Sequence, residues 1–123
     1  MLKLTFCINR LASLSRQEFQ AYWYDNHAPL VVSHRDALRI AKYTQTHASP
    51  LTALNDGIQQ SRGAPDQFDG VAELWWHSKD DIIANYDDPV ARAAGIALLE
   101  DEKKFIDLAR SPLWFNEERS IFG

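Results

Sequence analysis

Residues 15–32 read SRQEFQAYWYDNHAPLVV, and this stretch decides the fold because it predicts the first helix. Ser15 can accept a hydrogen bond from the backbone N–H of Glu18, whose side chain can reach back to the N–H of Ser15. This reciprocal pair is the capping box of a helix start. Phe19 and Trp23 follow at helical spacing and predict an apolar face. We therefore expect a helix that begins at about Ser15.

His27 stands where this helix should change. Pro29 lacks a backbone N–H and restricts Ala28, so the regular helix should kink or stop near His27, or continue for one turn beyond it. A histidine takes up and releases protons near neutral pH, which suits isomerisation, dehydration or enolisation without a cofactor. We predict that His27 is a catalytic acid or base at the mouth of a pocket. The alternative is a structural histidine that is hydrogen-bonded to the backbone.

Alternating apolar residues predict four strands around this helix. The four segments are Leu2–Asn9, Leu38–His47, Val71–His77 and Leu113–Phe122. A second helical region follows Ser78, breaks near Asp88 and Pro89 and continues to about Leu108, with Ser78 and Asp88 as N-caps. Residues 49–69 are the least regular part; Leu51, Leu54 and Ile58 could form one short helical turn or two, and we expect a partly ordered loop or lid there.

The order β-α-β-β-α-β predicts one α+β domain over residues 1–123 with the ferredoxin-like arrangement, in which two helices pack on one face of a four-stranded antiparallel sheet. The strand Leu38–His47 has no solid apolar face, so we expect it at a sheet edge. The strand Val71–His77 is apolar on both faces, so the second face of the sheet needs a cover. An identical subunit is the economical cover, and we predict a two-fold homodimer.

Composition excludes several classes of protein. The net charge is −4, and no basic patch is interleaved with aromatic residues, which argues against nucleic acid as a partner. Cys7 is the only cysteine, so there is no intramolecular disulfide framework. We expect a cytoplasmic protein with no membrane partner, because no apolar run approaches a membrane span and the N-terminus does not resemble a signal peptide. We also expect no metal and no cofactor, because neither metal-ligand spacing nor a Gly-rich phosphate loop occurs.

Tyr43, Gln45 and His47 share one face of the second predicted strand. If that face lines the pocket, Tyr43 can orient a carbonyl or lactone oxygen, His47 can be a second catalytic acid or base, and Gln45 can contact the substrate. The alternative is a polar edge in water, because polar side chains are common on edge strands.

Glu73 and Trp75 share a face of the third predicted strand. An acid among apolar neighbours should be paired or have a raised pKa, so Glu73 is either a buried general base or the partner of Arg39 or Lys42 in a salt bridge.

Tryptophans supply candidate walls for a substrate pocket. Trp23, Trp75 and Trp114 offer flat apolar surfaces to an aromatic or polycyclic ligand, although such residues also build ordinary cores. We assign Trp76 to the core.

The sequence resembles the EthD family over nearly the whole chain, except for residues 49–67. The resemblance is carried by Leu14, Ser15, Glu18 and Phe19, by Tyr22 and Trp23, by His27 to Val31, by Lys42-Tyr43-x-Gln45-x-His47, and by Asp69 to Trp75. It implies a dimeric α+β barrel, the fold of muconolactone-type isomerases, polyketide cyclases and cofactor-free monooxygenases. Methylmuconolactone methylisomerase looks like a functional relative; it uses a histidine at the end of helix 1 and a tyrosine on strand 2, and those positions match His27 and Tyr43.

Most EthD members have no assigned activity, but the resemblance implies two classes of function. Some members are linked to the degradation of ethers and other xenobiotics, and fungal relatives act as dehydratases. The first hypothesis is therefore a cofactor-free lyase or isomerase that acts on a small hydrophobic aromatic, lactone or polyketide-like compound. The alternatives are a non-catalytic small-molecule-binding accessory protein of an oxygenase pathway, or a cofactor-free monooxygenase.

Overall fold

A computed structural model describes residues 1–123 and contains one four-stranded antiparallel sheet. Its strands are β1 (Leu2–Ile8), β2 (Lys42–His47), β3 (Gly70–Trp76) and β4 (Leu113–Glu117). The spatial order is β2-β3-β1-β4, and every neighbouring pair is antiparallel. The predicted ferredoxin-like α+β sheet is therefore confirmed, and β2 lies at an edge as expected.

The first helical segment has two α-helices joined by a wider turn. Helix α1 (Arg16–Tyr22) begins with the predicted capping box, because Ser15 Oγ accepts from the backbone N–H of Glu18 and Glu18 Oε1 accepts from that of Ser15. A π-helical turn (Trp23–His27) follows, and helix α2 (Ala28–Ser33) continues from it with Pro29 in its first turn. The regular α-helix thus stops before Pro29, as predicted, but the chain stays helical because the wider turn accommodates the proline.

Three further α-helices complete the fold. They are α3 (Thr52–Arg62), α4 (Lys79–Asp87) and α5 (Pro89–Glu102), and a short 3₁₀ turn covers Leu108–Arg110. Ser78 caps α4 and Asp88 caps α5, as predicted. Helix α5 ends at Glu102, before the predicted Leu108. None of these helices is long and apolar enough to cross a membrane.

Other predicted limits also differ from the structure. The second strand begins at Lys42 instead of Leu38, because Arg39 adopts a left-handed conformation with φ 58° and its side chain donates to Asn85 and Asp88. The last strand ends at Glu117 and does not reach Phe122. Residues 49–69 hold the 11-residue helix α3, which ends at the left-handed Gly63.

Strand alternation gives the sheet two different faces. The helix face contacts α1, α2, α4 and α5 and includes Leu4, Phe6, Ile8, Tyr43, Ala72 and Leu74. The outer face includes Lys3, Thr5, Val71, Glu73, Trp75 and Trp114. Helix α3 has no buried residue, so it adds nothing to the core on the helix face.

Gly70 begins β3 where the Trp23 ring lies against the strand. A Cβ at this position would overlap Trp23 Cζ3 and would lie 2.7 Å from its Cη2 and 3.0 Å from the Thr46 carbonyl oxygen. Overpacking of this kind costs about 1–3 kcal/mol, so Gly70→Ala should lower the free energy of unfolding by that amount in urea titrations. Gly57→Ala is the control: its Cβ would meet nothing within 4 Å, so the helix should gain about 0.5–1 kcal/mol. Equal effects of the two variants would contradict the close approach of Trp23.

Candidate functional site

A cavity of about 190 Å³ lies between the helix face of the sheet and the helices above it. Its walls are mostly aliphatic and aromatic, with Leu4, Ile40, Leu74, Trp76 and Leu98 among them. His27, Tyr43 and Glu102 also line it and bring ionisable groups into these apolar surroundings. A concave apolar space with a few convergent polar groups is the usual form of a small-molecule site.

His27 reaches this cavity from the π-helical turn and is only 6% exposed. Its Nδ1 lies 2.7 Å from Asp101 Oδ2, and the Tyr22 hydroxyl donates to Asp101 Oδ1 at 2.6 Å. His27 Nε2 has no hydrogen-bond partner within the chain, and no fully buried polar side-chain atom lacks one, so Nε2 keeps accessible surface. Because His27 lines the cavity while its Nδ1 is bound to Asp101, we infer that Nε2 is the ring nitrogen available to a ligand there.

The protonation states of this pair follow from its surroundings. Burial lowers the pKa of His27, and the neighbouring Asp101 opposes that shift without cancelling it. Burial alone would raise the pKa of Asp101, but hydrogen bonds from Tyr22 and His27 hold the pKa below its usual value. An ionised carboxylate only accepts hydrogen bonds, so Nδ1 of neutral His27 carries the proton. The Nε2 lone pair is then free to accept a proton from a ligand.

Tyr43 faces the same cavity from β2, and Gln45 holds it in place. Gln45 Nε2 donates to the Tyr43 hydroxyl oxygen at 2.7 Å and to the Trp23 carbonyl at 2.9 Å. Burial raises the pKa of Tyr43, and the Gln45 hydrogen bond opposes the shift. The Tyr43 hydroxyl therefore keeps its proton and can donate it in a hydrogen bond to a ligand.

His47 lies beside the cavity and does not line it. Its Nε2 donates to Gln45 Oε1 at 2.8 Å, and its ring stacks on Trp23 with 4.5 Å between ring centroids. Trp23 itself is a wall of the cavity. In this structure Gln45 and His47 support Tyr43 and Trp23 from behind, so the predicted catalytic role of His47 stays a prediction.

Glu102 and Asp101 were not predicted as site residues from the sequence. Glu102 is the last residue of α5, and its carboxyl group has no hydrogen-bond or ion-pair partner within the chain. Burial and the neighbouring Asp101 raise its pKa to about 7. The sequence held no signal for these two residues, because the predicted helix continues to about Leu108. In the structure α5 ends at Glu102, so Glu100, Asp101 and Glu102 stand at a helix C-terminus, where the helix dipole disfavours acids. Two of these acids have a place in the site: Asp101 contacts His27, and Glu102 lines the cavity.

Glu73, Trp75 and Trp114 are not brought to this cavity, because strand alternation places them on the outer face. Glu73 pairs with Lys3 at 2.7 Å. The predicted partners, Arg39 and Lys42, were wrong, since Arg39 is held in the turn before β2 and Lys42 lies over the Trp75 ring.

Two further predictions concern Trp76 and a metal site. Trp76 is a core residue, as predicted, but it also lines the cavity. No group of three or more His, Cys, Asp or Glu side chains is arranged to hold a metal ion.

Comparisons with known proteins identify the kind of domain. A family model described as EthD domain matches residues 11–109. No curated protein matches the sequence.

Solved structures match over almost the whole chain and show the fold alone. An ethyl tert-butyl ether d (EthD) family protein of Bacillus halodurans C-125 is 19% identical with a TM-score of 0.62, covering 97% of this chain and 99% of that chain. An EthD-like protein of Ralstonia eutropha JMP134 is 21% identical with a TM-score of 0.57, covering 97% and 95%. A dimeric protein of unknown function with a ferredoxin-like fold from Bacteroides fragilis NCTC 9343 is 10% identical with a TM-score of 0.57, covering 95% of each.

Proposed function

We propose that this chain, which belongs to the EthD domain family, catalyses cofactor-free proton transfer on a small hydrophobic carbonyl compound, as a lyase or an isomerase. One observation carries the proposal: an oriented base, His27, and an unpaired acid, Glu102, line the same apolar cavity. Titratable groups are costly in apolar surroundings, and perturbed ones cluster at functional sites. A carrier for hydrophobic molecules would need the cavity but neither of these two groups.

The proposed chemistry uses the cavity groups in distinct roles. His27 Nε2 takes a proton from the carbon next to a carbonyl group, and Asp101 stabilises the imidazolium that forms. The Tyr43 hydroxyl and protonated Glu102 donate hydrogen bonds to the carbonyl oxygen as it gains negative charge. Return of the proton to a different carbon isomerises the compound. Transfer of the Glu102 proton to a hydroxyl group that leaves eliminates water.

Hydrogen–deuterium exchange tests this proposal without a known substrate. In D₂O, wild-type protein should speed the exchange of α-hydrogens in a panel of uncharged ketones, cyclic enones and lactones, as followed by ¹H NMR. Gly95 lines the cavity, and a Cβ there would meet nothing within 4 Å. Gly95→Leu should therefore fill space that a ligand needs and abolish the acceleration. Gly57→Leu is the matched control, because Gly57 lies in α3, away from the cavity.

Other results would point to the other functions. Ligands that bind without any exchange would favour the accessory binding protein. Oxygen uptake in the presence of an electron-rich aromatic compound would favour the monooxygenase. Acceleration that persists in Gly95→Leu would place the chemistry outside this cavity.

We also propose that the outer face of the sheet is covered by a second copy of the chain. Trp114 on that face is 47% exposed, and apolar surface on a sheet favours a cover. The Bacteroides fragilis neighbour with a ferredoxin-like fold is described as dimeric.

Light scattering tests the dimer directly. Wild-type protein at micromolar concentration should have the mass of two chains, and Trp114→Glu should have the mass of one. Ile83→Glu is the control, because Ile83 is 49% exposed on α4, on the helix side of the sheet. A wild-type monomer would overturn this part of the proposal.

A further inference from the structure

The ionisable groups that can bring charge to the cavity are carboxyl groups, so that charge is negative. Glu102 lines the cavity, and Asp101 lies directly behind His27, at 2.7 Å from its Nδ1. No lysine or arginine lines the cavity. Arg92 lines a neighbouring outer groove instead, and the largely exposed Lys104 forms an ion pair with Asp101 at 3.5 Å. A ligand carboxylate inside the cavity would therefore meet negative charge without a cationic partner.

The remaining polar groups suit an uncharged oxygen. Burial lowers the pKa of His27, so the imidazole supplies no positive charge at neutral pH. The Tyr43 hydroxyl accepts from Gln45 and keeps its own proton for a ligand oxygen. A carbonyl oxygen can accept this hydrogen bond without bringing a charge out of water. A ligand carboxylate would bring its charge into the cavity, and a buried charge is stabilised only by pairing.

The size of the cavity limits the ligand to about one ring. Its volume is about 190 Å³, and an apolar protein cavity of about 150 Å³ holds benzene. A polycyclic ligand, which the tryptophan content had suggested, would have to extend beyond this space.

We propose that the cavity takes uncharged, single-ring carbonyl compounds and that Glu102 makes it exclude compounds that carry a carboxylate. This inference rests on the proposed function, because it assigns a substrate class to the same site. Glu102 then has two roles: below its pKa of about 7 the protonated carboxyl group is a proton donor to the substrate, and above it the ionised carboxylate determines charge specificity.

Matched ligands test the exclusion. Acetophenone and benzoate share a ring and have nearly the same size, but only benzoate is charged at pH 8. Titration calorimetry on wild-type protein at pH 8 should show benzoate binding weaker than acetophenone by at least about tenfold, since juxtaposed like charges disfavour binding. In Glu102→Gln this ratio should fall several-fold. Glu100→Gln removes the same charge from an exposed position on α5, where Glu100 pairs with Lys103, and should leave the ratio unchanged.

Each outcome separates this inference from the proposed function. If acetophenone and benzoate bind equally to wild-type protein, the exclusion is wrong while the site still binds ligands. If the ratio is the same in Glu102→Gln and Glu100→Gln, Glu102 does not cause the selectivity and the inference is overturned. If neither compound binds, and no uncharged carbonyl compound of the exchange panel binds either, the proposed function is wrong. The inference is then wrong too, because it rests on that function.

Discussion

Replacing His27 with glutamine should lower the rate of α-hydrogen exchange by about 10²–10⁴-fold, the usual contribution of general acid–base catalysis. The glutamine amide can still donate a hydrogen bond to Asp101, which otherwise loses the His27 contact at 2.7 Å. The amide has no basic nitrogen, so it cannot take a proton from carbon near neutral pH. The measurement is the exchange rate by ¹H NMR, with the ligand near saturation so that a change in affinity does not imitate a change in chemistry.

His77→Gln is the matched control for this variant. His77 is exposed just after the end of β3, so its replacement should leave the exchange rate unchanged. Burial of His27 implies a cost in stability of about 1–3 kcal/mol for His27→Gln, because a buried hydrogen bond is altered. Urea titration then shows whether the variant is folded at the temperature of the assay. A folded His27→Gln protein with the wild-type exchange rate would contradict the assignment of His27 as the base.

Replacing Glu102 with glutamine should stabilise the protein, and increasingly so as the pH rises. Burial and Asp101 raise the pKa of Glu102 from its usual 4.5 to about 7. Between these two values the folded state holds a proton that the unfolded state has lost, so the free energy of unfolding falls as pH rises. Glutamine has no proton to lose. The advantage of Glu102→Gln should thus be near zero at pH 4.5 and reach roughly 3 kcal/mol above pH 7.

The comparison uses urea titrations of both proteins at several pH values. Taking the difference between variant and wild type removes the contribution of other groups, such as His27, whose lowered pKa changes stability in the opposite direction. Glu100→Gln is the control, because it makes the same substitution at an exposed position of α5 that does not line the cavity. A flat difference for Glu102→Gln would mean that its carboxyl group is solvated and does not line a dry cavity.

Much of the fold was predictable because it depends on local patterns. The Ser15–Glu18 capping box, the N-caps Ser78 and Asp88, and the alternation along the strands each place an element without reference to the rest of the chain. His27 was predicted from its place just before Pro29, and its pairing with Tyr43 came from the resemblance to a methylisomerase. The sequence alone left open which face of β2 lines the cavity.

The other half of the site depends on contacts that no local pattern determines. Asp101 meets His27 across 74 positions of sequence, which requires the packing of α5 on the π-helical turn. Glu102 depends on the same packing. The partner of Glu73 depends on the register of β1 against β3, which brought Lys3 to it in place of Arg39 or Lys42. These are tertiary contacts, and the periodicity of a single sequence does not predict them.

The π-helical turn also sets the rotational phase of the first helical segment. Phe19, Trp23, His27 and Val31 are spaced by four residues and are all buried. In an ideal α-helix of 3.6 residues per turn, each step of four residues overshoots by about 40°, or about 120° over three steps. A wider turn at Trp23–His27 absorbs part of that drift and keeps the four side chains in one row. A strict four-residue period of buried residues therefore indicates such a turn in the sequence. Deleting one residue within the π-helical turn would rotate α2 by about 100°.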